Sequence, residues 1–186
     1  SKCVICVEGE NDIDFLRSIN EAIFEFKKII DLKDISIIPM SGGKLKQWIN
    51  RNYLESSNVK EFHLYDSDVA EYCELVQKMN ETNDGRRIGV NTALREMENY
   101  IPLELLLEEV DLEIEEAKWR SEIDVPKFLL DKMFLKISDL KKREIAIKGY
   151  LNKRLTKKVS SENLKNYKVY DEMESWFHKI AEWSKQ

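Results

Sequence analysis

Glu8, Asp66 and Asp68 stand where a chain can gather oxygen ligands. Glu8 closes the apolar run Cys3-Val4-Ile5-Cys6-Val7, and Asp66-Ser67-Asp68 closes His63-Leu64-Tyr65. Crowded carboxylates repel and raise one another's pKa, a penalty that a divalent cation removes. Mg²⁺ and Mn²⁺ prefer oxygen ligands and commonly keep waters and substrate phosphate oxygens in their shell. Asp12, four residues after Glu8, can reach back from the first turn of a following helix. Ser41-Gly42-Gly43 closes another apolar run and lets a backbone or a phosphate come close. Taken singly these features are weak, because an Asp after a strand is commonly a cap and Gly-Gly commonly a turn. Capping does not, however, require acids at two different strand ends.

The elements that must position these residues follow from periodicity. Residues 3–7, 35–40, 61–65 and 87–90 read as short buried strands. Phe15, Leu16, Ile19, Ile23, Phe26 and Ile30 recur at helical spacing, so residues 12–30 read as one amphipathic helix capped by Asn11 or Asp12. Residues 44–53 and 70–79 complete a strand–helix alternation, which predicts a parallel sheet with right-handed crossovers and helices on both faces. Ligands of such sheets bind beyond the carboxyl ends of the strands, where these acidic loops would meet. From about residue 94 the pattern turns helical, over 94–100, 103–118, 126–136, 139–157 and 169–184, with Pro102 and Pro126 as boundaries. The expected class is thus α/β: a sheet of about four parallel strands within residues 1–100, followed by a helical extension over 101–186.

The stretches Val7-Glu8-Gly9-Glu10-Asn11-Asp12, Ser41-Gly42-Gly43 and His63-Leu64-Tyr65-Asp66-Ser67-Asp68 together resemble the Toprim signature, a Glu after the first strand and an Asp-x-Asp after the third. The resemblance is nearest to the C-terminal Toprim nuclease of OLD-family, ATPase-linked proteins of anti-phage defence. Glu8 with Asp12 is similar to the Glu-x-x-x-Asp of that group. Arg95-Glu96-Met97-Glu98-Asn99-Tyr100-Ile101-Pro102 is similar to its later acidic motif, which implies Glu98 as a further ligand, with Glu96 as the competitor if helix phase differs. Ile147-Lys148-Gly149-Tyr150-Leu151-Asn152 and Glu174-Ser175-Trp176-Phe177 look like the tail of these domains, and Lys148 falls near the family's catalytic lysine.

The resemblance implies phosphodiester hydrolysis of DNA or RNA by an endonuclease using two Mg²⁺ or Mn²⁺ ions. Glu8, Asp12, Asp66, Asp68 and Glu98 would divide between the ions, with Glu8 alternatively a general acid or base. Lys148 would offset transition-state charge. It also implies an ABC/AAA-type ATPase partner in the same or another chain, and a homo-oligomer in the full assembly. The abrupt opening in a strand is expected of a fragment of a longer chain or of an ATPase-associated subunit. The alternative is a non-catalytic Toprim module that binds nucleic acid or assembles with an ATPase, although such modules often lose acids. A topoisomerase would need a nucleophilic tyrosine on a separate domain, a primase further template-binding modules, and a receiver-like domain a phosphoacceptor Asp on a middle strand and a late Thr/Lys pair on strands, where this chain turns helical.

Composition fits these expectations. Net charge is -5, yet residues 1–131 carry 16 Lys and Arg against 28 Asp and Glu, whereas residues 132–168 carry 12 against 3. A basic block behind an acidic front suits an enzyme that concentrates metal in one place and phosphate in another, though a charge run is commonly only a solvated face. No apolar run is long enough to span a bilayer, no secretory leader is visible, and a reducing cytoplasm is expected. Cys3 and Cys6 point to opposite faces of a strand and have no second pair to complete a zinc site. His63 and His178, the two histidines, lack partners for zinc or a Ser-His triad. Trp176, Phe177, Ile180 and Trp183 recur at helical spacing and read as core rather than as a base-stacking platform.

Overall fold

The structure is a computed structural model that describes residues 2–40 and 44–185. Ser41-Gly42-Gly43 therefore lies outside the described residues. Four strands, β1 (Lys2–Val7), β2 (Ser36–Pro39), β3 (Val59–Tyr65) and β4 (Arg87–Asn91), form one sheet in the order β2-β1-β3-β4. Every pairing is parallel, with Cys6 opposite Ile38 on one side and His63 on the other. The chain is α/β with a helical second half, as its periodicity predicts.

Pleating sorts the strand residues between two layers. Ile5, Val7, Phe62 and Leu64 face the larger core, whereas Cys6 and Tyr65 face a smaller one with Met40, Leu45, Ile49 and Met79. The smaller layer is built from α3 (Lys44–Arg51) and α4 (Ala70–Thr82). α4 lies so close to β4 that a Cβ at Gly89 would stand 3.0 Å from Val76 Cγ1. Cys3 packs on the larger core and Cys6 in the smaller one, so strand alternation separates the two thiols.

The larger layer begins with α1 (Glu10–Ala22) and α2 (Phe24–Ile29). The single helix expected over 12–30 is broken at Ile23, whose backbone is extended (φ -105°, ψ 103°) and whose N–H still bonds the Ile19 carbonyl. Helical spacing continues across the break because both segments bury apolar residues against the same layer. The start also shifts. Gly9 is the N-cap, and Asp12 sits three residues on, its carboxylate accepting from the Gly9 N–H at 2.9 Å.

The second half is more fragmented than its periodicity suggests. A 3₁₀ turn over Met97–Tyr100 leads to α5 (Leu103–Leu107), α6 (Glu116–Ser121) and α7 (Val125–Phe128). Then come α8 (Leu140–Lys153), a 3₁₀ turn over Leu155–Lys158, α9 (Ser161–Asn166) and α10 (Tyr170–Lys185). The expected helix 103–118 is interrupted because Val110, Leu112 and Ile114 alternate with acids at a period of two, and they pack on the core from a non-helical segment. α9 was not expected, and its signal is local: Ser160 and Asn163 form a reciprocal capping box.

The helical half is continuous with the sheet domain. Trp119, Leu151, Trp176, Phe177 and Ile180 belong to the same buried cluster as Ile5, Phe15 and Phe62. α10 lies against β1, β3 and α2, and α1 against α8. The Phe26 ring sits 4.9 Å from both Tyr170 and Phe177, a close aromatic group worth about 0.5–1.5 kcal/mol per pair beyond area burial. Trp176, Phe177 and Ile180 are core, as their spacing predicts, and His178 is exposed. No described helix is long and apolar enough to cross a membrane.

Candidate functional site

A pocket of about 240 Å³ opens at the carboxyl ends of β1 and β3. Eight carboxylates and two lysines line it. Glu8 enters directly after β1, and Asp12 from the first turn of α1, turned back by its bond to Gly9. Asp66 and Asp68 follow β3. Their loop is stitched to the segment after β4: Thr92 N–H donates to the Tyr65 carbonyl at 3.0 Å, and Ser67 N–H to Thr92 Oγ1 at 3.1 Å. Asp68 N–H reaches the Arg95 carbonyl at 3.2 Å. That segment continues to Glu96 and Glu98, which close the pocket from the side.

Every acid singled out from the sequence, Glu8, Asp12, Asp66, Asp68 and Glu98, lines this pocket, and so does Lys148 from α8. Glu96 and Glu98, weighed against each other on helix phase, both do. Helix phase does not separate them because Glu96 is the extended N-cap of the 3₁₀ turn and Glu98 lies within it. Three further contributors escaped sequence reasoning: Asp124, Lys127 and Glu144. Asp124 was legible as a cap, since Pro126 follows it and its side chain accepts from the Lys127 N–H. Glu144 was legible as the i−4 partner of Lys148, 3.8 Å away. Neither signal points to a pocket.

Burial sets the electrostatics. Asp66 is 8% exposed, and its Oδ1 is buried with no hydrogen-bond partner. Its pKa is driven far above the carboxylate range, first by loss of water and then by Asp12, Glu98 and Glu8. Asp12 is pushed up to about 7 by burial, against the Gly9 N–H that favours its charge. Glu96 rises to about 8 by burial and the nearby Glu98 and Asp124 charges. Glu8 is raised as well, by burial, while the Tyr72 hydroxyl donating to Oε1 at 3.2 Å holds it back. Lys148 goes the other way in character: burial alone would discharge it, but Glu98, Glu144, Glu96 and Asp124 keep its proton on. Arg95 adds a cation at the rim, 3.9 Å from both Asp68 and Asp124.

Such a set has too much negative charge for its own cations. Oxygen-only donors at this density fit a hard divalent cation, and an unpartnered buried carboxylate oxygen has an open coordination valence for one. The described residues contain one tighter group of mixed donors, Cys6, Glu61 and His63, whose ligand atoms lie within 4.8 Å of one another. The pocket acids form no such tight triplet. The mixed group already satisfies itself. Glu61 accepts from Trp48 Nε1 (2.7 Å), His63 Nε2 (2.9 Å) and Arg86 (2.7 Å), and His63 Nδ1 meets the Tyr65 hydroxyl at 2.7 Å. Burial alone would raise Glu61, yet these three donors hold it below the usual range. A metal there would have to displace bonds already made, so we assign it to structure.

The basic block 132–168 does not form one face on the pocket. Lys148 lines it, but Arg143 donates to the Ile137 and Leu130 carbonyls, and Lys153 and Lys158 pair with Asp14 and Glu109. Larger clefts of about 370 and 540 Å³ lie elsewhere, the first beside Arg17 and Lys157, the second beside Asp31 and Ser184, and neither gathers a comparable set of convergent donors. Compared with protein-family models, with curated proteins and with solved structures, the chain matches none.

Proposed function

We propose that this chain is a divalent-cation-dependent nuclease of Toprim type that hydrolyses phosphodiester bonds in DNA or RNA. The observation that carries the reading is the buried, unpartnered Oδ1 of Asp66 on a pocket with seven other carboxylates. Glu8, Asp12, Asp66, Asp68 and Glu98 would hold Mg²⁺ or Mn²⁺, two ions by the sequence resemblance, drawing closer on binding than the cation-free carboxylates stand. When bound, such ions lower the pKa of water and stabilise charge on a phosphate undergoing displacement. Lys148, kept protonated by its acidic neighbours, then offsets charge on the phosphate oxygens, and Arg95 and Lys127 at the same pocket draw in the polyanion. Tyr72 orients Glu8.

By the same sequence resemblance the nuclease is the effector of an ATPase-coupled defence assembly, working beside an ABC/AAA-type ATPase in a homo-oligomer. The test is cleavage of plasmid DNA and of tRNA with Mg²⁺ or Mn²⁺, comparing wild type with Asp66→Ala and Glu8→Ala. Cation-dependent cleavage lost in both variants is the expected outcome. Cleavage that survives both substitutions overturns the proposal. Tight cation binding without cleavage of either substrate, with or without the ATPase, would favour a non-catalytic binding module.

A further inference from the structure

We infer that Asn152 is a positioning residue for Glu98, holding one carboxylate oxygen so that the other faces the cation site. The inference rests on the cation-site reading above. Asn152 is fully buried on α8, where an asparagine is a poor helix former and a buried amide is costly unless bonded. Both of its amide hydrogens are used, while its Oδ1 is buried without a partner, so what the residue offers its surroundings is the donor end. Nδ2 donates to Glu98 Oε1 at 2.8 Å and to the Lys148 carbonyl, one turn earlier, at 3.0 Å. One side chain therefore spans the turn that carries Lys148 and the carboxylate on the facing 3₁₀ turn.

Glu98 does not need this bond to keep its backbone in place. Asn99 already fixes the turn: its Oδ1 accepts from the Glu96 N–H at 3.1 Å, and its Nδ2 donates to the Trp119 and Ile123 carbonyls at 2.8 and 3.2 Å. The Tyr167 hydroxyl clamps the Asn99 carbonyl at 2.7 Å. What is left undetermined by that network is the direction of the Glu98 carboxylate, and Asn152 sets it. Groups that orient ligating carboxylates from behind typically change metal affinity about 10- to 100-fold when removed.

The experiment is a cycle of Mn²⁺ titrations by calorimetry on wild type, Asn152→Leu, Glu98→Gln and the double variant, with melting of each cation-free protein as a folding control. Leucine keeps the shape and removes the donors. The expected result is a Kd weakened about 10- to 100-fold by Asn152→Leu in wild type, and changed less than about threefold by it in the Glu98→Gln background, where coupled residues lose their shared contribution. A Kd within about threefold of wild type for Asn152→Leu overturns the inference. So does a full loss repeated in the Glu98→Gln background, since Asn152 would then act through structure rather than through Glu98. If Asn152→Leu fails to fold, Asn152→Ser, too short to span to Glu98, reads the same cycle. Wild type that binds no Mn²⁺ would instead overturn the cation-site reading itself, a result distinct from either.

Discussion

Asp66 concentrates the physical tension of the molecule. A carboxylate oxygen buried without a partner costs about 1–3 kcal/mol, more when charged. The neutral isostere Asp66→Asn removes the ionisable group, whose charged form burial disfavours, while keeping the shape. In cation-free protein at pH 8 it is expected to raise the melting temperature, by about 2–4 °C per kcal/mol relieved for a chain of this size, while abolishing the melting shift that Mg²⁺ or Mn²⁺ gives wild type. Thermal melts with and without cation check both halves. A lowered melting temperature without cation would mean that the carboxylate itself is structural.

The same residues fix a pH dependence. Glu8, Asp12, Asp66 and Glu96 have folded-state pKa values above their ordinary ones, pushed there by burial, with Asp12 at about 7 and Glu96 at about 8. Between the unfolded and folded values the native state binds more protons, so its stability is highest in acid and declines as pH rises. Glu61 and Asp84 are shifted down, and their contribution is lost only on acidification below the ordinary carboxylate range, whereas His63, lowered by burial, opposes the decline up to about pH 6.5 but is one group against four acids. Cation-free melting temperature is therefore expected to fall between about pH 5 and 8. Cation affinity should rise over the same interval as ligands deprotonate. Melts across that range, with and without Mn²⁺, should diverge most at the alkaline end. A flat cation-free profile would contradict the burial of these groups.

At the scale of elements, α8 decides how the pocket closes. It brings Glu144 and Lys148 to the pocket and Asn152 behind it, all from the helix opened by Asp139, whose side chain accepts from the Lys142 N–H at 2.9 Å. Losing such a cap costs about 1 kcal/mol. Asp139→Ala is expected to lower the melting temperature by about 2–4 °C, and hydrogen exchange should speed up first in the amides of the opening turn of α8. Exchange unchanged there would show that tertiary packing alone holds the helix start. The strands and α1, α4, α8 and α10 were legible because each combines an apolar period with a long enough run. The break at Ile23 was not, since helical spacing persists through a bend that keeps the same face buried, and the short helices after residue 100 were not, since Val110, Leu112 and Ile114 still supply the core across a non-helical stretch.

At the scale of the whole molecule, the sheet and the helical half share one core. Residues 1–100 alone would expose the surfaces of Phe15, Phe26 and Phe62 that Leu151, Trp176 and Phe177 help to cover. A fragment ending at residue 100 is expected to lack a cooperative melt, whereas residues 1–186 should unfold in one transition. Two resolved transitions in calorimetry would divide the molecule at the point where the sequence pattern changes.

Glu8, Asp66 and Asp68 were visible in the sequence because each follows a run of β-branched or aromatic residues, and parallel strands end on one edge. Local pattern determined the strands, the acids at their ends and the expectation that they meet. Tertiary structure alone decided that Glu96, Asp124 and Glu144 join them, that Asp66 is left with a bare buried oxygen, and that Asn152 stands behind Glu98. The reason is physical: periodicity reports which face of an element is buried, but a pocket is made where faces of elements distant in the chain converge, and desolvation depends on all of them at once.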